Sequence, residues 1–220
     1  KKIIEYVMRD KMKNLVSMNL RAFANETASE SPAPGGGSIA AYCGALGVSL
    51  GTMVANLSAH KRGWDDKVQF FSKYALLGQQ IKDHLLDLVD KDTDAFNSIM
   101  QAVRLPKSTD AEKAERQKQM ELATKLAIET PLEVTKTAFS AYDVLLMMAK
   151  EGNPASITDV GVGALATKAA IQGAYYNVRI NLPGLKDETY KSDIMKEADE
   201  IQETSLKLEA EVLKMVEAKL

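Results

Sequence analysis

Acid/base chemistry in this chain has to come from carboxylates. The two histidines, His60 and His84, fit no metal-ligand spacing such as H-x-x-x-H. Ser38 has no histidine near it in sequence, and Cys43 sits in an apolar stretch without an evident base. Acids concentrate in DLVDKDTDAF, which holds Asp87, Asp90, Asp92 and Asp94. Read as a helix, Asp92 stands three residues after Val89 and four before Phe96, which turns it toward the apolar stripe, whereas Asp90 and Asp94 lie further round toward solvent. A carboxyl held against an apolar wall has a raised pKa and exchanges protons near neutrality. The second candidate acid is Asp159. It follows Ser156 by three, the spacing of a capping box with Asp in place of Glu, and it lies close to Asn153.

Three groups of polar residues offer binding chemistry. In SPAPGGGS, Pro32 and Pro34 fix two φ angles, while Gly35, Gly36 and Gly37 leave backbone N–H groups free to converge at a helix start with Ser38 as its N-cap. Such a turn is either an anion site or a close-packing turn with a cap. In HKRGW, Lys61 or Arg62 reads either as compensation of a helix C-terminus or as a contact for an anionic substrate tail. In NVRIN, Asn177 and Asn181 share a helix face around Arg179, so their amides can bond a heterocycle or bridge buried backbone.

These groups need elements to position them, and every periodic stretch is helical. Residues 1–16 form an amphipathic lead-in or linker, with Ile3, Ile4, Val7, Met8, Met12 and Leu15 at helical steps. Residues 17–220 form one domain. A short helix capped by Ser17 leads to the glycine turn. From Ile39 to Leu57 no residue is charged, and Ala40, Gly44, Gly47, Gly51 and Ala55 line one face, predicting a buried central helix. Its length suits a membrane span, but Tyr42, Ser49, Thr52 and Asn56 and the absence of a second span argue against one. A long helix then follows Asp65 to about Val103, and another runs from Ser108 or Thr109 to about Lys150 with a kink expected at Pro131. A second small-residue helix carries Gly161, Ala164, Ala169 and Gly173. The last helix repeats Ile194, Ile201, Leu208 and Met215 every seven residues, a seam that closes the bundle or meets a partner. The fold class is all-α, a bundle of long antiparallel helices around two small-residue-rich central ones.

Composition narrows the setting. With 28 basic and 30 acidic residues and a net charge of −2, there is no nucleic-acid surface to expect. One cysteine and no visible secretory signal suggest a reducing, cytoplasmic location.

Taken in order, PAPGGGS with the GALG helix, DKDTDAF at 90–96, GNPASITDVGVGAL at 152–165 and NVRIN at 177–181 resemble the cyclodeaminase/cyclohydrolase family of folate enzymes. The resemblance extends from about Met18 to the C-terminus. It implies cyclisation of 5-formiminotetrahydrofolate to 5,10-methenyltetrahydrofolate with release of ammonia, within one-carbon metabolism and histidine degradation. It also implies no metal and no cofactor beyond the folate substrate, with or without a polyglutamate tail. The family's acidic position falls on Asp92, and its GN and SD-type dipeptides fall near Asn153 and Asp159. Members are often fused behind a glutamate formiminotransferase domain, which the lead-in resembles the joint to, and a homo-oligomer, at least a dimer, is implied. The alternatives are a methenyltetrahydrofolate cyclohydrolase and a non-catalytic helical dimerisation module.

Overall fold

The computed structural model describes residues 14–220. The lead-in positions from Ile3 to Met12 fall outside them. Among the described residues there are six α-helices and no strand: α1 Leu20–Thr27, α2 Gly36–Ala59, α3 Val68–Arg104, α4 Asp110–Glu151, α5 Ile157–Asn181 and α6 Glu188–Glu217. The expected all-α bundle of long helices is what forms.

The uncharged run of α2 makes it the central element, packed on α3, α4 and α5. Its glycine face is used entirely inside the chain. A Cβ at Gly47 would lie 2.8 Å from the carbonyl oxygen of Gly163, and one at Gly44 would touch Leu85, Ala138 and Ala170. Glycine here lets the α2 and α5 backbones approach, a packing that any side chain would force apart. α5 runs antiparallel to α2, because Gly36 meets Asn177, Ala40 meets Gly173 and Gly47 meets Gly163 and Thr167. α2 is also the one described helix long and apolar enough to cross a membrane, and 61% of that stretch is buried within the fold.

Helix ends follow local chemistry, with several changes from the sequence reading. α1 is capped by Asn19, whose side chain accepts from Ala22 N–H, and not by Ser17. Ahead of it, Leu15 is buried in the main core. Asp65 opens a short 3-10 turn, and α3 starts after it at Val68 without a side-chain cap. α4 has a full capping box between Thr109 and Glu112, and it continues through the buried Pro131. The heptad seam of α6 is spent within the chain: Ile201, Leu208 and Met215 pack on the main core and Ile194 on a smaller cluster with Ile128, Leu132 and Val178.

Candidate active site

The site forms where the glycine turn, α3 and α5 meet. The turn enters through a cis peptide between Ala33 and Pro34, and α2 begins at Gly36 with Gly35 as its cap residue. Ser38 is therefore inside the first turn and is not the N-cap. It is 0% exposed, and its backbone N–H donates to Asp92 Oδ2 at 2.8 Å. Its hydroxyl lies 2.9 Å from the same oxygen and 3.1 Å from the carbonyl of Val89. A carboxylate from α3 thus occupies part of the anion position at the start of α2, where the helix dipole favours negative charge.

Asp92 is held on both sides. A Cβ at Gly37 would stand 2.1 Å from its Oδ1 and 2.5 Å from its Cγ, so only glycine leaves room for the carboxyl. Gly36 is less demanding, since a Cβ there would first meet Asn177 Nδ2 at 3.4 Å. Burial pushes the Asp92 carboxyl above the usual carboxylate range, and the two Ser38 bonds pull the other way without cancelling it. Oδ2 is engaged by Ser38, while Oδ1 has no hydrogen-bond partner among the described residues. Asp92 therefore combines a fixed orientation, a raised pKa and one oxygen available for proton exchange.

A cavity of about 170 Å³ opens on this carboxyl, walled by Pro32, Gly36, Gly37, Thr93, Phe96 and Asn177 among others. Asn177 donates its amide to Gly173 O at 2.9 Å. Asn181 donates to Ala127 O at 2.8 Å and to Asn177 O at 3.0 Å, bridging α5 to α4. Thr93 Oγ1 is buried and unpaired. The carbonyl four residues back, its usual helical acceptor, is Val89 O, where Ser38 Oγ already sits. A roomier hollow of about 410 Å³ lies between the ends of α3 and α4, but it is lined by Ala102, Leu105, Leu122 and Leu126 with Glu115 as its single acid.

Other candidates lie elsewhere. Arg179 is exposed and stacks on Tyr175 at 5.5 Å, outside the cavity lining. Asp159 is half-buried in the first turn of α5, and Ser156 makes no side-chain cap bond, so the expected capping box is not formed. Asp159 lies roughly 27 Å along α5 from Asn177, at about 1.5 Å per residue. Asn153 N–H donates to Ser58 Oγ at 2.8 Å, and Lys61 Nζ donates to Asn153 Oδ1 at 3.2 Å while standing 4.1 Å over the Trp64 ring. Lys61 and Asn153 thus form a second cluster at the C-terminal end of α2. Within one chain, Asp92 and Asp159 do not share a cleft.

Two features were missed by sequence reasoning. Asp90 is not on a solvated face: its Oδ1 accepts from Leu15 N–H at 2.7 Å, and burial raises its pKa. The Ser38–Asp92 pair had no sequence signal, since 54 residues separate the partners.

The comparisons with known proteins agree with this architecture. A profile of the formiminotransferase-cyclodeaminase family matches residues 19–200. The formimidoyltransferase-cyclodeaminase of Gallus gallus is 36% identical over 98% of this chain and 40% of its own length. The methenyltetrahydrofolate cyclohydrolase of Methylorubrum extorquens is 30% identical over 91% of this chain and 97% of its own length. The chain spans about two fifths of the bifunctional relatives it matches. The crystal structure of a formiminotetrahydrofolate cyclodeaminase from Thermotoga maritima superposes with a TM-score of 0.81 at 28% identity, covering 91% of this chain and 96% of that one. On the extent of the profile match and the identity to these relatives, the chain belongs to the formiminotransferase-cyclodeaminase family.

Proposed function

We propose that this protein cyclises 5-formiminotetrahydrofolate to 5,10-methenyltetrahydrofolate and releases ammonia, with Asp92 as the proton-transfer group. The observation that carries the reading is the Asp92 carboxyl, half-buried beside a cavity with Oδ2 tied to Ser38 and its pKa raised by that partial burial. In this reaction N10 attacks the formimino carbon, forming the N10–C bond, and the bond from that carbon to the amine nitrogen breaks. The proton lost from N10 must reach the departing amine. A carboxyl whose pKa lies nearer neutrality can take the first proton through Oδ1 and return it to the amine, the usual work of a general acid/base group. Its negative charge also favours the amidinium and the methenyl cation on either side of the step. Asn177 and the N–H groups of the Gly35–Gly37 turn supply polar contacts to the ring system. The cavity of about 170 Å³ is smaller than the ~300 Å³ at which small-molecule sites begin, so it takes the reacting part of the folate and leaves the tail outside.

A second reading, hydrolysis of the methenyl bridge to 10-formyltetrahydrofolate, draws on the likeness to the Methylorubrum extorquens cyclohydrolase along nearly all of that protein. The same carboxyl would then activate water. Ultraviolet detection of methenyltetrahydrofolate separates the two. Its appearance from the formimino substrate with matching ammonia supports the deaminase, its disappearance above the spontaneous rate supports the cyclohydrolase, and neither change with folded protein refutes both.

A further inference from the structure

The hollow of about 410 Å³ between the ends of α3 and α4 continues the Asp92 cavity outward along the same helix pair. On α3, Ala95 and Ile99 wall the cavity, while Ala102 and Leu105 wall the hollow. These four recur at steps of four, three and three, so they share one face. On α4, Ala127 belongs to the cavity, while its neighbour Leu126 and Ala123, one turn earlier, belong to the hollow. The two helices run antiparallel here, because Arg116 near the start of α4 reaches Val103 near the end of α3. One furrow therefore leads from Asp92 toward the loop that joins them. Between Asp92 and Ala102 it follows ten residues of α3, roughly 15 Å.

The furrow changes character along its length. Its floor is small and apolar, since Ala95, Ala102, Ala123 and Ala127 are all buried. Its rims are larger and face water, with Phe96, Leu122 and Leu126 at 37%, 54% and 40% exposed. A flat ring lying between such rims returns them to an apolar surrounding, which is favourable in proportion to the area covered. Farther out come the amides of Gln101 and Gln119, the latter donating to Glu115 Oε1 at 2.8 Å. The outer end is positive in a chain whose net charge is −2: from Arg104 to Lys118 there are five basic and three acidic residues. Of those acids, Glu112 is occupied in the capping box of α4 and Asp110 is paired with Lys113. Arg116 is half-buried with its Nε donating to Val103 O at 3.3 Å, and among the described residues it has no carboxylate partner.

We infer that this furrow is the subsite for the aryl-glutamyl part of the substrate, with Leu122 and Leu126 against the benzoyl ring and the Arg116 end drawing the glutamyl carboxylates. Building on the folate reading above, the furrow serves the formimino and the methenyl substrate alike, because both carry the same tail beyond N10. Ring, amide and glutamyl side chain extend from N10 about as far as four extended residues, roughly 13 Å, close to the length of the furrow. Cavity and hollow together reach the ~300–1,000 Å³ of small-molecule sites, which the cavity alone does not.

The probe is N-(4-aminobenzoyl)-glutamate, which has the ring, the amide and both carboxylates but no pterin and no reacting carbon. It should bind the wild-type chain by calorimetry and inhibit turnover competitively with the folate. Leu126→Asp alters an exposed rim and should fold; it should weaken the fragment at least about tenfold and raise KM by a similar factor while kcat stays within about threefold. Glu115→Gln removes the single acid of the hollow and should tighten the fragment by about twofold or more. Leu206→Asp, an equally drastic change at an exposed leucine of α6, should leave both measurements unchanged. A wild-type chain that fails to bind the fragment at millimolar concentration would overturn the inference. So would equal fragment affinity in wild type, Leu126→Asp and Glu115→Gln, or a loss in Leu126→Asp that falls on kcat with KM unchanged. Folded wild-type protein that turns over neither folate would refute the proposed function instead, and fragment binding would still decide for or against the furrow.

Discussion

Gly37→Ala is the sharpest probe of how the site is built. The added methyl carbon would stand 2.1, 2.5 and 2.8 Å from Asp92 Oδ1, Cγ and Oδ2, well inside the ~3.5 Å of a comfortable contact. The carboxyl must retreat by about 1 Å, which stretches its 2.8 Å bond from Ser38 N–H beyond hydrogen-bonding range. A bond to a charged group contributes about 1.5–3 kcal/mol, and alanine returns up to about 1 kcal/mol through its better helix propensity. The net loss is therefore about 1–2 kcal/mol, or roughly 3–6 °C in Tm for a chain of this size. Turnover should fall at least about 100-fold as the carboxyl leaves its position. Gly36→Ala is the control, with its first contact at 3.4 Å and an expected change within about 0.5 kcal/mol. The assays are thermal melts and methenyltetrahydrofolate formation, repeated in an Asp92→Ala background where the clash is gone and Gly37→Ala should become neutral or stabilising. An equal loss in both backgrounds would refute the wedge between Gly37 and Asp92, as would Gly37→Ala melting no lower than Gly36→Ala.

Other expectations concern charge and unpaired groups. Asp92 is raised in the fold, so its contribution to stability is full below the ordinary carboxylate pKa and is lost as pH rises through the folded pKa. Asp92→Asn keeps an acceptor for Ser38 and should melt no lower than wild type at neutral pH, with any advantage disappearing on acidification; a variant that melts lower at neutral pH and converges at acid pH would show the opposite shift. Thr93→Val replaces an unpaired buried hydroxyl by a methyl group and should raise stability by about 1 kcal/mol in urea melts, whereas a loss of that size would reveal a partner for the hydroxyl. Lys168 caps the buried Glu209 at 2.6 Å, and because Lys168 is itself partly exposed, Lys168→Met should cost about 1–3 kcal/mol by leaving that carboxylate alone. Lys168→Met together with Glu209→Gln should recover most of the loss, and an additive double variant would show that the pair is uncoupled.

Sequence alone determined the elements and the direction of their apolar stripes, though not that of every acid beside them, as Asp90 shows. Helical period follows from the 3.6-residue turn, so the all-α class, the buried α2, a start of α4 at Ser108 or Thr109 and the inward turn of Asp92 could be read from spacing. The glycine run and the uncharged stretch after it likewise marked the start of the central helix within a few residues. Tertiary structure alone decided what those faces meet. Spacing sets an angle around a helix axis but says nothing of which distant segment arrives there, nor at what height along the axis. For that reason the Ser38 partner of Asp92, the hold of Asp90 on Leu15 and the internal use of the glycine stripe and of the α6 seam were all settled by packing. The antiparallel course of α5 along α2 carried Asn177 to Asp92 and took Asp159 to the other end, because both lie on one rigid helix whose length separates them.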